Sequence, residues 1–167
     1  MEDRTLTMRI KRLRDNAKDL AYAHGKEDSG MDLYVAAIAK KENGEWVEHD
    51  KYTLQPNETV LVKTGWAVSI PIGTELQIRP TSGNSLKTKL RIPNSPGTMD
   101  AGYRNEIGVI VENIGNSLIS LAEGMKIAQA VMVPVLHPTV IEVDNLDETD
   151  RGLDGFGSTG TILDGGK

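Results

Sequence analysis

The chain has 167 residues, a formal net charge of −5 at pH 7 and no cysteine. This length is typical of a single domain that buries its own core. The absence of cysteine excludes disulfides, thiol nucleophiles and cysteine-based zinc sites, and we expect a cytoplasmic protein. The acidic balance argues against a nucleic-acid binder. The charged N-terminus has no long apolar run, so we expect neither a signal peptide nor a membrane span.

Strand-like segments dominate the chain, and helix signals are scarce. The best helix candidate, residues 15–24, is short and has no clean apolar stripe. Segments rich in Val and Ile are separated by turn-forming Pro, Gly and Asn, a pattern that is typical of β structure. These segments are residues 6–13, 59–64, 66–70, 74–79, 106–112, 117–122 and 126–135. Many short strands of this kind predict an all-β fold, a sandwich or a barrel.

Two segments stand apart from this strand pattern. Asn43-Gly44 predicts the tip of a hairpin in a small surface excursion at residues 40–50. Beyond Pro138 the apolar pattern thins, and the glycine-rich end has too few apolar residues to fold on itself. We therefore expect a folded domain over residues 1–144 and a flexible arm over residues 145–167, which becomes ordered only against another surface.

The segment from Pro96 to residue 113 carries the first candidate site residues. Asp100 and Tyr103 precede the strand candidate 106–112, which has apolar residues on both faces. We therefore expect both side chains at the mouth of a buried strand. Asp100 has two interpretations: a turn residue that caps a backbone N–H, or a carboxylate that orients and deprotonates a water.

Three further polar positions have a structural and a functional interpretation. The turn at residues 82–85 can present several N–H groups and hydroxyls to phosphate, with Arg79 and Lys87 nearby for charge. Gln129 shares a predicted strand face with apolar residues, so its amide either bonds to backbone in the core or contacts a ligand. Asp32 precedes a predicted strand and either caps a turn or serves a site.

Taken together, five segments resemble the ordered motifs of the trimeric dUTPase family. They are SGMDL (29–33), PTSGNS (80–85), GTMDAGYRNEI (97–107), GMKIAQ (124–129) and RGLDGFGSTG (151–160). Their order and spacing agree with the family over most of the chain, and the fifth segment matches its motif in full. Thr81 is a departure, because the family usually has arginine there.

The resemblance implies an enzyme that hydrolyses dUTP to dUMP and pyrophosphate, which keeps uracil out of DNA and supplies dUMP. The family fold is a β jelly roll, and its members are homotrimers with three sites at subunit interfaces. Mg²⁺ is the implied cofactor. In the family this ion is coordinated mainly by the triphosphate, so no residue of the chain is implied as a direct metal ligand.

The resemblance also implies roles for residues of the folded domain. Asp100 would hold and activate the attacking water, and Asp32 would support the site through its hydrogen bonds. Tyr103 would pack on the deoxyribose and leave no room for a 2′-hydroxyl. The other substrate contacts would be Asn94, Gly97 and Met99 at the uracil, and Ser82, Gly83 and Gln129 at the phosphates.

The glycine-rich arm would close over the bound nucleotide as a lid. Phe156, the only phenylalanine of the chain, would stack on the uracil. Arg151 would reach the phosphates, and Gly157, Ser158 and Thr159 would add backbone and hydroxyl contacts. Glycines let such a backbone close around a ligand and open again.

Two alternative functions stay open. A dCTP deaminase shares the fold, but that family places a catalytic glutamate in the strand after the Asp-containing turn, where this chain has Ile110. A dUTP-binding regulatory trimer would act through a protein partner of unknown identity. The excursion at residues 40–50 is the segment that could carry such a contact.

Overall fold

The computed structural model describes residues 6–154. Within this range the chain forms thirteen strands, one short α-helix and one 3-10 turn. The strands are β1 (Arg9–Arg12), β2 (Met31–Tyr34), β3 (Ala37–Glu42), β4 (Glu45–His49), β5 (Lys51–Leu54), β6 (Thr59–Lys63), β7 (Trp66–Ser69), β8 (Thr74–Arg79), β9 (Leu90–Arg91), β10 (Gly97–Asp100), β11 (Gly108–Asn113), β12 (Ile119–Ala122) and β13 (Lys126–Pro134). The helix is α1 (Ser82–Lys87), and the 3-10 turn covers Gly25–Glu27.

Two antiparallel sheets form the main layers of the fold. One has four strands in the order β10-β8-β13-β2, and the other has five in the order β4-β3-β6-β11-β9. Two-stranded ribbons, β1-β7 and β12-β5, complete the architecture. The predicted class is confirmed: the protein is an all-β, jelly-roll-like sandwich of many short strands.

A single apolar cluster takes side chains from both main sheets and both ribbons. Its fully buried members include Leu33, Leu76 and Ala130 from the four-stranded sheet and Ile38, Val62 and Val111 from the five-stranded sheet. Burial of each large apolar side chain stabilises the fold by about 1.5–3 kcal/mol. This shared cluster therefore holds the two sheets against each other and fixes the strands that carry the site.

The hairpin predicted at Asn43-Gly44 is present between β3 and β4. Both residues have positive φ, 49° at Asn43 and 91° at Gly44, and the flanking residues Glu42 and Glu45 are paired. Two successive positive φ values in a two-residue loop match the right-handed twist of the strands. Trp46, the first apolar residue after the tip, is 61% exposed.

The weak helix candidate at residues 15–24 and the turn expected at residues 82–85 both have another local structure. Residues 15–24 are not helical, and their polar groups bond to distant residues instead. Asn16 donates to the Ala36 carbonyl, between β2 and β3, at 2.9 Å, and the Trp66 indole donates to the Lys18 carbonyl at 2.7 Å. The segment predicted as a turn forms α1. Thr81 caps this helix by accepting a hydrogen bond from the Asn84 N–H at 3.4 Å.

The described chain divides after His137 into two compact units. The second unit starts at Pro138 and contains a turn in which the Gly152 N–H donates to the Thr149 carbonyl at 2.9 Å. The domain boundary expected at residues 144 and 145, and the flexibility of the arm, stay predictions. No helix in the described part of the chain has the length and apolar character that a membrane crossing requires.

Candidate active site

One pocket collects predicted residues of the 96–113 segment. This cavity, the β10 pocket, has a volume of about 240 Å³ and is lined by β10 and by parts of β6, β8 and β11. Antiparallel pairing places Gly97 opposite Ile78 and Asp100 opposite Glu75. The predicted site residues that line the β10 pocket are Asn94, Gly97, Met99, Asp100 and Tyr103.

The wall of the β10 pocket at Gly97 leaves little room for a side chain. A Cβ built at Gly97 would lie 3.3 Å from both Asn94 Nδ2 and Ile78 Cβ. Backbone groups of β10 therefore form this part of the wall, next to the Asn94 amide. Fixed N–H and C=O groups beside a carboxamide are suited to hydrogen bonds with the edge of a planar base.

Asp100 ends β10, and its side chain is exposed. Its backbone carbonyl accepts the Tyr103 N–H at 3.0 Å, so the backbone makes the turn, and the carboxylate has no hydrogen-bond partner among residues 6–154. Asp100 and Tyr103 line the β10 pocket together with the start of the strand predicted over residues 106–112: Gly108, Val109 and Ile110. That strand, β11, begins only at Gly108, because Ile107 donates its N–H to Trp66 outside the β11 ladder, at 2.7 Å.

Tyr103 presents a ring to the β10 pocket and is fixed at its hydroxyl. The hydroxyl donates to the Glu106 carbonyl at 3.2 Å, and the residue is 42% exposed. A ring held at its tip and open to solvent on its surface is a platform for the apolar side of a ligand.

The β10 pocket also has a charged wall that was not predicted from the sequence. Glu106 is 7% exposed, and its carboxylate accepts two hydrogen bonds from Arg14 and one from the Gly65 N–H. Lys63 also lines the pocket, with Nζ 3.9 Å from Glu106. The hydrogen bonds to Glu106 and Glu48 raise the pKa of Arg14 above its ordinary value. A carboxylate at the head of an apolar strand was the available signal for this wall.

A second pocket collects the other predicted residues of the folded domain. This cavity, the β2 pocket, also has a volume of about 240 Å³. Asp32 on β2, Gln129 on β13 and Ser82 at the start of α1 line it, together with Thr81 and Lys126. The register of β2 and β13 places Asp32 directly opposite Gln129.

Gln129 lies on the face of β13 that also carries Val131, which is 8% exposed. A register shift between Lys126 and Ala128 lets the successive residues Ile127 and Ala128 both be buried, while Gln129 lies on the face opposite to that of Ala128 and Ala130. Its Nε2 donates to the Pro80 carbonyl at 3.0 Å. Its Oε1 would be 2.7 Å from a Cβ at Gly30, so this glycine leaves the space that the amide occupies.

Two carboxylates of the β2 pocket already have partners. Asp32 lies within β2 rather than before it, and Oδ2 accepts from Lys126 Nζ at 2.8 Å and from the Tyr34 hydroxyl at 3.4 Å. Asp28 accepts the backbone N–H of His24 at 2.6 Å, and this bond lowers the pKa of Asp28 below its usual value. The pocket thus combines fixed acidic groups with one ammonium and one imidazole.

Arg79 and Lys87, the cations expected near the phosphate contacts, do not line the β2 pocket. Arg79 donates to the Gln77 amide oxygen through Nε at 2.9 Å and Nη2 at 2.6 Å. Lys87 lines a different surface hollow, with Lys89. Lys126 is the lysine that lines the β2 pocket within the described residues.

One remaining predicted residue of the first unit, Gly83, lines neither pocket. Gly83 lies in α1 and is exposed. Arg151 belongs to the second unit, where its Nε donates to the Asp154 carbonyl at 2.9 Å. The others, Phe156, Gly157, Ser158 and Thr159, lie outside the described residues.

The β10 and β2 pockets lie at opposite ends of one sheet. Strands β10 and β2 are the two edge strands of the four-stranded sheet. Three strand spacings separate them, or about 14 Å. In a single chain, the residues expected to act on the base and sugar therefore do not share a pocket with those expected to hold the phosphates.

Comparison with known proteins agrees with the motif resemblance. The family model for dUTPase matches residues 47–160, more than half of the chain. This chain belongs to the dUTPase family. It is 46% identical to the deoxyuridine 5′-triphosphate nucleotidohydrolase of Picosynechococcus sp. over 154 residues, which are 92% of this chain and 99% of the relative. The corresponding enzyme of Clostridium tetani is 43% identical, over 92% of this chain and 97% of the relative.

Solved dUTPase structures have the same fold as this dUTPase. The dUTPase of Staphylococcus bacteriophage 80alpha with dUpNHpp is 30% identical, with a TM-score of 0.75 over 93% of this chain and 99% of that one. A dUTPase variant from phage phi11 of S. aureus, described for the coordination of a structural Mg(II) ion, is 27% identical. Its TM-score is 0.70, over 85% of this chain and 99% of that one. The protein is accordingly a dUTP nucleotidohydrolase.

Proposed function

We propose that this dUTPase hydrolyses dUTP to dUMP and pyrophosphate through attack of water on the α-phosphorus, with Mg²⁺ as cofactor. The observation that carries the proposal is the β10 pocket, in which Asp100 lies beside Tyr103, Asn94 and the backbone of Gly97. A carboxylate, a ring and a hydrogen-bonding edge in one cavity match the three parts of the substrate nearest the reaction: the attacked phosphorus, the sugar and the base.

The β10 pocket is sized for the nucleoside and not for the whole nucleotide. Its volume of about 240 Å³ lies below the usual range for small-molecule sites, about 300–1,000 Å³. In this proposal, Asn94 and the backbone from Gly97 to Met99 hydrogen-bond the uracil edge. Tyr103 packs on the deoxyribose and excludes a 2′-hydroxyl. The triphosphate then extends out of the pocket past Asp100.

Asp100 acts as the general base. Its carboxylate has no hydrogen-bond partner among the described residues, so it can accept a hydrogen bond from water. As the water oxygen forms a bond to the α-phosphorus, the bond from that phosphorus to the bridging oxygen breaks, and the proton passes to Asp100. Pyrophosphate leaves with the electron pair of the broken bond, and dUMP remains.

The phosphates are held by a β2 pocket from another copy of the chain. In one chain the two pockets share no lining residue, and the edge strands that carry them are about 14 Å apart. Cyclic association places the same two surfaces against each other at every interface, which supports a homotrimer with three shared sites. Ser82, Gly83 and Gln129 contact the phosphates, and Asp32 supports them through Lys126.

Mg²⁺ is carried mainly by the triphosphate in this proposal. Among residues 6–154, no three His, Asp or Glu side chains are grouped to hold a metal ion. Mg²⁺ keeps several waters and phosphate oxygens, so the few carboxylates around the site fit an ion that arrives with the nucleotide. The bound ion would neutralise phosphate charge as pyrophosphate forms.

The arm completes the proposed site. Phe156 stacks on the uracil and Arg151 reaches the phosphates, while Gly157, Ser158 and Thr159 contact the nucleotide as the arm closes. Removal of residues 151–167 is expected to abolish turnover while leaving the folded domain intact. Unchanged turnover after this deletion would contradict the lid.

The proposal is tested by phosphorus NMR of the protein mixed with Mg²⁺ and each of dUTP, dCTP, dTTP and UTP. We expect pyrophosphate from dUTP alone, and an Asp100→Asn variant that still binds dUTP but turns over about 10²–10⁴ times more slowly. Ammonia from dCTP would favour the deaminase alternative, against which Ile110 on β11 argues. Binding of dUTP without pyrophosphate would favour the regulatory alternative.

A further inference from the structure

A buried carboxylate borders the β10 pocket, and the proposed reaction gives it no role. Glu106 lines the pocket and is 7% exposed. A charge at this depth is tolerated only where partners compensate it. The charged group that compensates it at hydrogen-bond distance, the Arg14 guanidinium, comes from a part of the chain that precedes the segment matched by the family model, residues 47–160.

Arg14 is the principal partner of Glu106. Its Nε donates to Oε1 at 2.7 Å and its Nη2 donates to Oε2 at 3.0 Å, so the guanidinium contacts both carboxylate oxygens. The Gly65 N–H adds a third bond, to Oε1 at 2.7 Å. Bidentate pairs of this kind fix orientation as well as charge. The Glu106 side chain therefore has one well-defined position.

Arg14 is itself held in a turn that sits on Gly65. The Leu13 N–H donates to the Gly65 carbonyl at 2.8 Å, and the Ala17 N–H donates to the Arg14 carbonyl at 3.1 Å. Gly65 has φ of +80°, and a Cβ there would lie 2.5 Å from the Ala17 Cβ. This close approach needs a glycine. It places the Arg14 side chain beside Glu106.

The chain of hydrogen bonds from Arg14 through Glu106 continues to Tyr103. The Glu106 carbonyl accepts the Tyr103 hydroxyl at 3.2 Å. The next residue, Ile107, donates its N–H to the Trp66 carbonyl at 2.7 Å and accepts the Thr64 hydroxyl at 2.9 Å. Glu106, whose carbonyl fixes Tyr103, is thus held at two points. Arg14 binds its side chain, and the loop that contains Gly65 binds the next residue, Ile107.

We propose that Arg14 is a positioning residue of the dUTPase site, which acts through Glu106 to hold Tyr103 against the sugar and so sets the discrimination between deoxyribo- and ribonucleotide. This inference rests on the proposed role of Tyr103. Without Arg14 the buried carboxylate is undercompensated and must move toward solvent or Lys63. The Glu106 carbonyl then shifts, and the Tyr103 ring gains freedom to admit a 2′-hydroxyl.

The test compares kcat/KM for dUTP with kcat/KM for UTP in an Arg14→Gln variant. We expect the ratio to fall about tenfold, the scale on which one lost positioning contact is felt. We expect the change in KM for dUTP to exceed the change in kcat, because Asp100 is not touched. If UTP turnover is too slow to follow, the inhibition constant of UTP against dUTP gives the same comparison.

Glu48→Gln is the matched control. Glu48 is the other carboxylate bound by Arg14, at 2.8 Å to both guanidinium nitrogens Nη1 and Nη2, and its side chain is 43% exposed. This variant removes an ion pair of Arg14 and leaves the contacts to Glu106. We expect an unchanged substrate ratio. A purely structural role for Arg14 would instead lower both activities together and leave the ratio constant.

A Tyr103→Phe background tests the route through the hydroxyl. If Arg14 acts through the Tyr103 hydrogen bond, adding Arg14→Gln to Tyr103→Phe lowers the ratio little further. Equal additive falls would overturn the route, and an unchanged ratio in Arg14→Gln would overturn the proposal. If Arg14→Gln does not fold, Arg14→Lys takes its place. Failure of the wild-type protein to release pyrophosphate from dUTP would overturn the proposed function itself, which distinguishes the two failures.

Discussion

Lys126 Nζ lies 2.8 Å from Asp32 Oδ2, and this ion pair joins β13 to β2 at the β2 pocket. The hydrogen bond to Asp32 raises the pKa of Lys126, so the ammonium stays charged well above neutral pH. The Lys126 side chain is 48% exposed and that of Asp32 is 16% exposed. A positioned, accessible ammonium is the cation that a phosphate would meet in a pocket where Thr81 replaces the usual arginine.

Lys126→Met is expected to weaken dUTP binding more than it slows the chemical step. Hydrogen bonds to charged groups contribute about 1.5–3 kcal/mol, so KM should rise by about tenfold or more while kcat changes less. Steady-state kinetics with dUTP measures this. Lys87→Met is the matched control, because Lys87 follows the PTSGNS segment and was expected near the phosphates but lines another hollow. An equal effect of both variants would point to general charge instead of the β2 pocket.

Thr81→Arg is expected to raise kcat/KM for dUTP, because it adds a guanidinium where the β2 pocket has a hydroxyl. The change also removes the helix cap of Thr81, and loss of a cap costs about 0.5–2 kcal/mol. Since the capping bond is 3.4 Å long, we expect a cost at the low end. Thr81→Gln removes the cap without adding charge. If Arg and Gln at this position gave the same kcat/KM, the charge argument would be wrong.

Gly65→Ala is expected to destabilise the fold by about 2–5 kcal/mol, the sum of a left-handed backbone penalty and overpacking. The new Cβ would lie 2.5 Å from the Ala17 Cβ, at φ of +80°. Gly44→Ala is the control. Gly44 has φ of +91°, and a Cβ there would meet no atom within 4 Å, so this variant should be destabilised by the backbone penalty alone. Urea unfolding of both variants measures the difference. Equal losses would show that the turn at Arg14 does not press on Gly65.

Local signals in the sequence predicted much of the sandwich. Asn43-Gly44 predicted its hairpin correctly, because two residues that tolerate positive φ define that turn on their own. The short Val- and Ile-rich segments became β6, β7, β8, β11, β12 and β13. Each of these depends on residues that are neighbours in the chain, and such dependence is visible in sequence.

Tertiary contacts decided what the sequence did not reveal. Arg14 and Glu106 are 92 positions apart, and nothing local to either residue shows that they meet. A register shift in β13 lets the successive residues Ile127 and Ala128 both be buried, and pairing with β2 reveals this shift while residue alternation does not. The order of the motifs predicted that Asp100 and Asp32 belong to one site. In a single chain, however, their pockets lie at opposite edges of the four-stranded sheet.

The most direct test of the shared site mixes two variants that are each expected to be inactive. Asp100→Asn disables the β10 pocket, and Gln129→Ala disables the β2 pocket. If a site takes its two pockets from different copies, refolding the variants together in equal amounts restores dUTP turnover at about a quarter of the wild-type sites by random assortment. A mixture no more active than the mean of the separate variants would show that one chain holds the whole site, and would contradict the account.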